Sequence, residues 1–140
     1  MKTTEQESTQ ESMKQIMERL KNAVVSLDAE GVLALCRDSD EFLIVVDEVM
    51  SAYDQFAANE RHELKMFQQI RLTFDSLQIR VLGADVVAAL CQFHQVLTDG
   101  NGVEIPLKGE FTWIANRVEG GPWLLTYAHA WHRPDPAAVK

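Results

Sequence analysis

The sequence predicts one α+β domain, a cone-shaped fold in which long N-terminal helices pack in a strongly curved mixed or antiparallel sheet. Helical periodicity is confined to the first half of the chain, whereas a period of two begins near Phe74 and continues to the end. The last strands are also longer than usual, and long twisted antiparallel sheets coil. The length of 140 residues fits one domain over 1–140, with flexible tails over about 1–10 and 134–140.

Two amphipathic helices are predicted to open the chain. The first carries apolar residues at three- and four-residue steps from Glu11 onward, which places them on one stripe. The second is short, and Asp28 is its predicted N-cap. The stripe consists of Met13, Ile16, Met17, Leu20, Val24 and Leu27. Such a stripe needs a sheet to cover it.

A strand and a third helix are predicted next. Residues 42–46 are β-branched, aliphatic or aromatic and are bounded by charges, which is typical of a buried strand. Past Tyr53, the spacing of Leu64, Phe67 and Ile70 predicts a helix, with Asp54 or Asn59 as its cap. The sequence alone does not decide between these two caps.

Four strands in a meander are predicted to complete the fold. Residues 77–81 alternate in polarity, and 85–98 form a long, mostly apolar strand. Two turns follow, at Asp99-Gly100-Asn101-Gly102 and Glu119-Gly120-Gly121-Pro122, because glycine and Asn or Asp tolerate positive φ. These turns specify antiparallel hairpins.

The faces of the hairpins follow from the assumption of four-residue turns, with Thr98 opposite Val103 and Val118 opposite Trp123. One face then carries Ala88, Leu90, Gln92, His94, Phe111, Trp113, Ala115, Ala128 and Ala130. The other carries Ala89, Cys91, Phe93, Thr112, Ile114, Asn116, Leu125, Tyr127, His129 and Trp131. A single bulge would exchange members between the two faces.

Composition excludes several classes of protein. With 13 basic and 21 acidic residues the net charge is −8, which disfavours nucleic acid as a partner. A hydrophobic content of 46% is too high for a disordered chain, and no apolar run is long enough to span a membrane. Cys36 and Cys91 lie in apolar runs, as buried thiols do, and no secretory signal is visible. We therefore expect a cytoplasmic protein.

The closing segments resemble a known family. The resemblance lies in Gly109-Glu110-Phe111-Thr112-Trp113, the glycine turn, Trp123-Leu124-Leu125 and Tyr127-Ala128-His129. They are similar to the last hairpin of SnoaL-like domains in the nuclear transport factor 2-like superfamily, which ends in a His-x-His-x-Ser pattern. Tyr127 stands at the first histidine, His129 matches the second, and Trp131 replaces the serine. The stretch from Gly83 to Gly102 is also similar in spacing to the association domain of calcium/calmodulin-dependent protein kinase.

The resemblance implies a cone of helices within a curved sheet, dimerisation through the outer sheet face and a cone that holds small apolar ligands. Known activities of such proteins include isomerase, cyclase, dehydratase and epoxide hydrolase chemistry. Fold alone does not select among them.

His94 is the candidate acid/base, because an imidazole on an apolar strand beside Gln92 can move a proton at a carbonyl ligand. A structural or ligand-orienting role is the alternative. We expect Tyr53, Gln92, His94 and Trp113 to bind the ligand, although Trp113 and Tyr53 could simply pack in the core.

Tyr127, His129 and Trp131 are large amphipathic rings on the opposite face, and we expect them at a dimer interface. His132 and Arg133 are expected to be solvated. Three carboxylates near strands, those of Asp47, Glu48 and Asp85, lie where turns are expected, which argues against catalysis by any of them.

No metal is predicted, since the four histidines have no metal-ligand spacing, and no cofactor motif is present. The sequence therefore favours a homodimeric protein with an apolar pocket for a small apolar or carbonyl-containing molecule, with proton transfer as its possible reaction. The alternative is a non-catalytic dimerisation or ligand-sensing module.

Overall fold

Three helices pack against a curved, six-stranded mixed sheet in the structure, a computed structural model that describes residues 3–136. The helices are α1 (Thr4–Val25), α2 (Ala29–Leu33) and α3 (Tyr53–Leu64). The strands are β1 (Leu43–Val46), β2 (Val49–Ser51), β3 (Phe67–Gly83), β4 (Val86–Asp99), β5 (Glu104–Asn116) and β6 (Leu124–Pro134). Their order in the sheet is β2-β1-β6-β5-β4-β3, antiparallel except for the parallel pair β1 and β6. The predicted α+β class is confirmed.

Helix α1 begins seven residues earlier than the apolar stripe suggests. The Thr3 hydroxyl accepts a hydrogen bond from the Gln6 amide at 3.1 Å, and the Gln6 side chain accepts one from the Thr3 amide at 3.0 Å. This reciprocal capping box starts the helix at Thr4. The expectation of a tail over 1–10 is therefore wrong for 4–10, while residues 1–2 and 137–140 lie outside the described residues.

Helix α3 differs from its prediction at both ends. Its N-cap is Ala52, which makes no side-chain cap, so neither Asp54 nor Asn59 has that role. The helix ends at Leu64, and Phe67 and Ile70 belong to β3. Pairing of β3 with β4 along its whole length outweighs the helix-like spacing of these apolar residues.

The register of the first hairpin is shifted by one residue from the prediction. Thr98 pairs with Glu104 rather than Val103, because the Asp99 amide donates to the Val103 carbonyl and closes a longer turn. A shift of one residue moves every side chain of β4 to the opposite face relative to β5. Trp113 therefore shares its face with Ala89 and not with the neighbours expected for it.

The β5–β6 pairing agrees with the prediction from Leu107 through Ile114, with Trp113 opposite Ala128. Next to the turn a register shift between Ile114 and Ala115 places Leu125 opposite Ala115. Leu125 is fully buried, so it belongs to the inner face and not to the outer face assigned from the sequence. The bulge leaves the rest of β6 in the expected alternation.

The core fills only one end of the cone. Met13 and Met17 of α1 are fully buried, together with Val87 and Ala115 of the sheet. Helix α1 packs on β3 and β4, whereas the shorter α3 lies near the β1–β2 hairpin. The other end of the sheet is left as a hollow. None of the helices within residues 3–136 has both the length and the apolarity needed to cross a membrane.

Candidate functional site

The hollow end of the cone is a cavity of about 860 Å³. Its walls are the inner faces of the sheet, helix α3 and the β1–β2 hairpin, and most of the side chains that line it are aliphatic or aromatic. Few of the residues that line it have polar side chains: Asp47, Ser51, Asn59, Glu60, Glu63, Gln95, His132 and Arg133. An apolar hollow with a few polar groups is the usual form of a small-molecule site.

Aromatic rings build two parts of the wall. Trp113 lies 6.4 Å from Phe56, between ring centroids, at the deep end, where it is only 6% exposed. Near the mouth Phe93 lies 5.7 Å from Phe111 and 5.5 Å from the His132 ring. The rings therefore offer flat apolar surfaces on both sides of the space.

His132 and Asp47 form a hydrogen-bonded pair on the cavity wall. The Asp47 carboxylate faces His132 Nδ1 at 3.1 Å and accepts the His132 backbone amide at 2.7 Å. Because an ionised carboxylate only accepts hydrogen bonds, this contact favours the neutral tautomer with its proton on Nδ1 and its lone pair on Nε2. No described residue hydrogen-bonds to Nε2. This nitrogen is free to take a proton from a ligand.

A strained two-residue turn positions Asp47. Val46 pairs with Val49, so Asp47 and Glu48 alone connect β1 to β2, with φ of 50° and 73°. The Asp47 amide also donates to the Ala130 carbonyl, which fixes the turn against β6. Left-handed backbone at non-glycine residues is costly and concentrates at functional sites.

Gly109 makes room for the histidine. It pairs with both Phe93 and His132 across its two neighbouring strands. A Cβ at this position would collide with the Trp131 carbonyl oxygen and the Phe93 ring. The missing side chain therefore lets Phe93 lie against His132 over the middle strand.

Glu60 adds a second titratable group to the wall. Burial, and after it the like charge of the nearby Glu63 carboxylate, together raise its pKa to about 7. The carboxyl is therefore partly protonated at neutral pH. Carboxylic acids of this kind serve as proton donors in enzyme sites.

Gln92 and His94 do not line this cavity, so their predicted place in the site is wrong. The shifted register of β4 puts both on the outer face. There the His94 side chain is 46% exposed, and its Nδ1 lies 2.8 Å from the Asp75 carboxylate. Asp75 occupies a bulge between Phe74 and Ser76 of β3, a partner that spacing could not reveal.

Of the other predicted ligand-binding residues, Trp113 lines the cavity and Tyr53 does not. Tyr53 begins α3 and packs edge-on against Phe42, with centroids 5.6 Å apart. This is the core-capping alternative for Tyr53. Its pKa is raised mainly by burial.

Tyr127, His129 and Trp131 lie on the outer face, as the alternation predicts. With Leu90, which is 45% exposed, Trp131 and His129 border a second hollow of about 420 Å³. The guanidinium of Arg133 stacks on the Trp131 ring at 5.0 Å. The outer face thus combines exposed apolar and amphipathic side chains.

Sequence reasoning missed Asp47, Glu60 and His132. His132 was expected in solvent, yet it continues the alternation of Ala128 and Ala130 and lies on the inner face. Extending the alternation by two residues would have found it. Asp47 gave no such signal, because its parallel partner β6 is distant in sequence. Within the described range 3–136, no three His, Cys, Asp or Glu side chains are grouped to hold a metal.

Comparison with solved structures identifies the fold. The chain superposes on a nuclear transport factor 2-like superfamily protein from Salmonella enterica with a TM-score of 0.82 and 16% sequence identity. The superposition covers 96% of this chain and 97% of the Salmonella protein. The chain has the nuclear transport factor 2-like fold. The resemblance to this superfamily is thereby confirmed at the level of fold.

Two further solved structures that superpose on this chain carry more specific descriptions. A candidate scytalone dehydratase from Novosphingobium aromaticivorans has a TM-score of 0.82 and 10% identity, covering 99% of this chain and 94% of its own. A candidate calcium/calmodulin-dependent protein kinase II association domain from Xanthomonas campestris has a TM-score of 0.73 and 16% identity, covering 88% and 86%. No protein-family model matches the sequence, and no curated protein matches it significantly.

Proposed function

We propose that the protein binds a small, uncharged, largely apolar molecule with a carbonyl group in the cavity, and that His132, held by Asp47, transfers a proton on it. The observation that carries the proposal is the 3.1 Å contact between these side chains on the wall of an apolar cavity. His132 takes the role that the sequence suggested for His94.

The chemistry follows from the free Nε2 of His132. This nitrogen removes a proton from the carbon beside the carbonyl, the C–H electron pair becomes a C–C double bond, and the carbonyl oxygen takes the negative charge. Return of the proton to another carbon completes an isomerisation. If the carbon next to the enolate bears a hydroxyl, its C–O bond breaks as the enolate electrons restore the carbonyl and form a C–C double bond, and the proton leaves with the hydroxyl as water; this is a dehydration, the reaction class named for the Novosphingobium protein of the same fold. Asp47 stabilises the imidazolium in between.

Deuterium exchange tests this proposal without knowledge of the natural substrate. The probe is 2-tetralone in D₂O, because its ring and carbonyl both acidify the same protons, and loss of their ¹H signal reports proton removal. We expect the protein to accelerate exchange, with His132→Gln and Asp47→Asn reducing the acceleration by about 10²-fold or more. Wild-type exchange in His132→Gln would overturn the proposal.

The second His–Asp pair supplies a matched control. His94→Gln removes an imidazole that also faces an aspartate, but on the outer face and 46% exposed. We expect this variant to exchange 2-tetralone at the wild-type rate. A loss in His94→Gln with no loss in His132→Gln would return the reaction to the outer face.

The second candidate is a non-catalytic ligand-sensing or dimerisation module, and the outer face favours it. Tyr127, Trp131 and the exposed Leu90 form the surface that we propose as a homodimer interface. Replacing Tyr127 and Trp131 together by serine is expected to convert the dimer into a monomer, as measured by sedimentation in the analytical ultracentrifuge. A variant that remains dimeric would refute this interface. The two free, buried cysteines support a reducing compartment such as the cytoplasm.

A further inference from the structure

Glu60 is a carboxyl group on the cavity wall that has no hydrogen-bonding partner among the described residues. It comes from α3, an element that contributes neither Asp47 nor His132. Throughout residues 3–136, no hydrogen bond or ion pair to its side chain is found. The adjacent cation, Arg61, is instead held by Glu30 at 2.9 Å. No cation among the described residues is therefore paired with Glu60 to balance its charge.

A carboxyl group in this position stays protonated at higher pH than usual. Burial is the main cause, with the like charge of Glu63 second, and together they raise the pKa of Glu60 to about 7. A protonated carboxyl has an O–H that donates a hydrogen bond, which no ionised carboxylate can do.

We propose that Glu60 donates a hydrogen bond to the carbonyl oxygen of the ligand, so that the cavity selects uncharged carbonyl compounds over carboxylates. This inference rests on the proposed function, since it assumes that the cavity holds such a molecule. It assigns the oxygen end of the ligand to α3 and the reacting carbon to His132. Glu60 is then a catalytic residue, because the oxygen it touches gains negative charge when His132 removes the proton.

The charges around the cavity support this selectivity. The charged or titratable groups of the elements that face Glu60 are Glu30, Cys36, Asp47, Arg61, Glu63, His132 and Arg133. Arg61 is paired with Glu30, and Arg133 lies over the Trp131 ring on the outer face. A carboxylate ligand would meet the carboxyl groups of Asp47, Glu60 and Glu63 with no unengaged arginine among these groups to balance it.

The test compares two probes with the same fused bicyclic ring system. These are 2-tetralone, a ketone, and 1,2,3,4-tetrahydro-2-naphthoate, its carboxylate counterpart, with Kd measured from amide shifts in ¹H–¹⁵N spectra. Since the neutral form of Glu60 is the competent one, the ketone Kd is expected to rise about tenfold between about pH 6 and pH 8. The carboxylate is expected to bind more weakly throughout.

Two variants isolate the contribution of Glu60. In Glu60→Gln the amide donates at every pH, so the Kd of the ketone is expected to lose its pH dependence. Glu63→Gln, one helical turn away, is expected to keep a pH-dependent Kd with its midpoint moved to lower pH, because the like charge that helps to raise the pKa of Glu60 is removed. A wild-type pH profile in Glu60→Gln, or a carboxylate that binds wild type as tightly as the ketone, would overturn the inference.

Failure of the proposed function has a different signature. If wild type, Glu60→Gln and Glu63→Gln all fail to bind the ketone, the cavity function is wrong and this inference falls with it. If the ketone binds but Glu60→Gln leaves its pH profile unchanged, only the role of Glu60 is wrong.

A direct titration keeps the inference testable if Glu60→Gln does not fold. The side-chain carboxyl carbon of Glu60 in the wild-type protein is followed by ¹³C NMR, and a midpoint near pH 7 is expected. A midpoint near the ordinary value of 4.5 would overturn the inference without any ligand.

Discussion

Burial of Glu60 makes folding stability fall as pH rises. Its pKa is 4.5 when exposed and about 7 in the fold, so the folded state holds the proton more tightly than the unfolded state. The protonated Glu60 carboxyl therefore contributes to the free energy of unfolding. This contribution is fully present below about pH 4.5 and is lost as pH rises through about 7. A difference of about 2.5 pKa units corresponds to at most about 3.4 kcal/mol, at about 1.36 kcal/mol per unit.

Replacing Glu60 by glutamine removes this loss. The difference in free energy of unfolding between Glu60→Gln and wild type is expected to shift by about 1–3 kcal/mol in favour of the variant between about pH 4.5 and pH 7.5. The range lies below the upper limit because relaxation around the charge reduces the cost of burying it. The constant cost of burying the amide does not affect this slope. Urea denaturation at a series of pH values, followed by tryptophan fluorescence, measures it.

Glu18→Gln on α1 is the matched control, because Glu18 is exposed and the substitution is the same. Its difference from wild type is expected to stay flat over this pH range. Parallel pH profiles for wild type and Glu60→Gln would refute the view that the carboxyl is buried, and with it the argument for a donor on α3.

Four further predictions concern the walls, the turn and the thiols. Trp113→Ala removes a side chain that is 6% exposed and is expected to cost about 3–5 kcal/mol in urea denaturation; a cost below about 1 kcal/mol would contradict its packing. Gly109→Ala places a Cβ against a carbonyl oxygen and an aromatic ring, so it is expected to cost about 1–3 kcal/mol and to slow 2-tetralone exchange, whereas a neutral effect would show that the strands can part. Glu48→Gly relieves a φ of 73° and is expected to stabilise by about 1 kcal/mol; an unchanged Tm would mean that the turn is unstrained. Burial raises the pKa of Cys36 and Cys91 to about 12, so a thiol reagent at neutral pH is expected to label them only after denaturation, and rapid labelling of the native protein would contradict their burial.

Local chemistry was sufficient to predict most of the fold. The Asp28 side chain caps α2 by accepting the Gly31 amide at 2.9 Å, and the glycine turns close the hairpins where expected. These features depend on residues close in sequence. The β2 strand was missed because Asp47-Glu48 has no glycine or asparagine to mark a two-residue turn.

The site was harder to predict because it depends on register and on distant partners. The turn after β4 is one residue longer than predicted. Since side chains alternate with a period of two, this places Phe93 on the inner face, where His94 was expected. The His132 partner comes from a turn 85 residues earlier, through a parallel pairing that no local pattern encodes. The position of Trp113 was predicted because the β5–β6 register agreed.

The proposed function requires the ligand to lie inside the cone, beside the Asp47–His132 pair. Nuclear Overhauser contacts from bound 2-tetralone test it most directly. We expect contacts to the His132 ring, the Ala130 methyl and the Trp113 ring. Contacts confined to His94, Gln92 and the other outer-face side chains would contradict it.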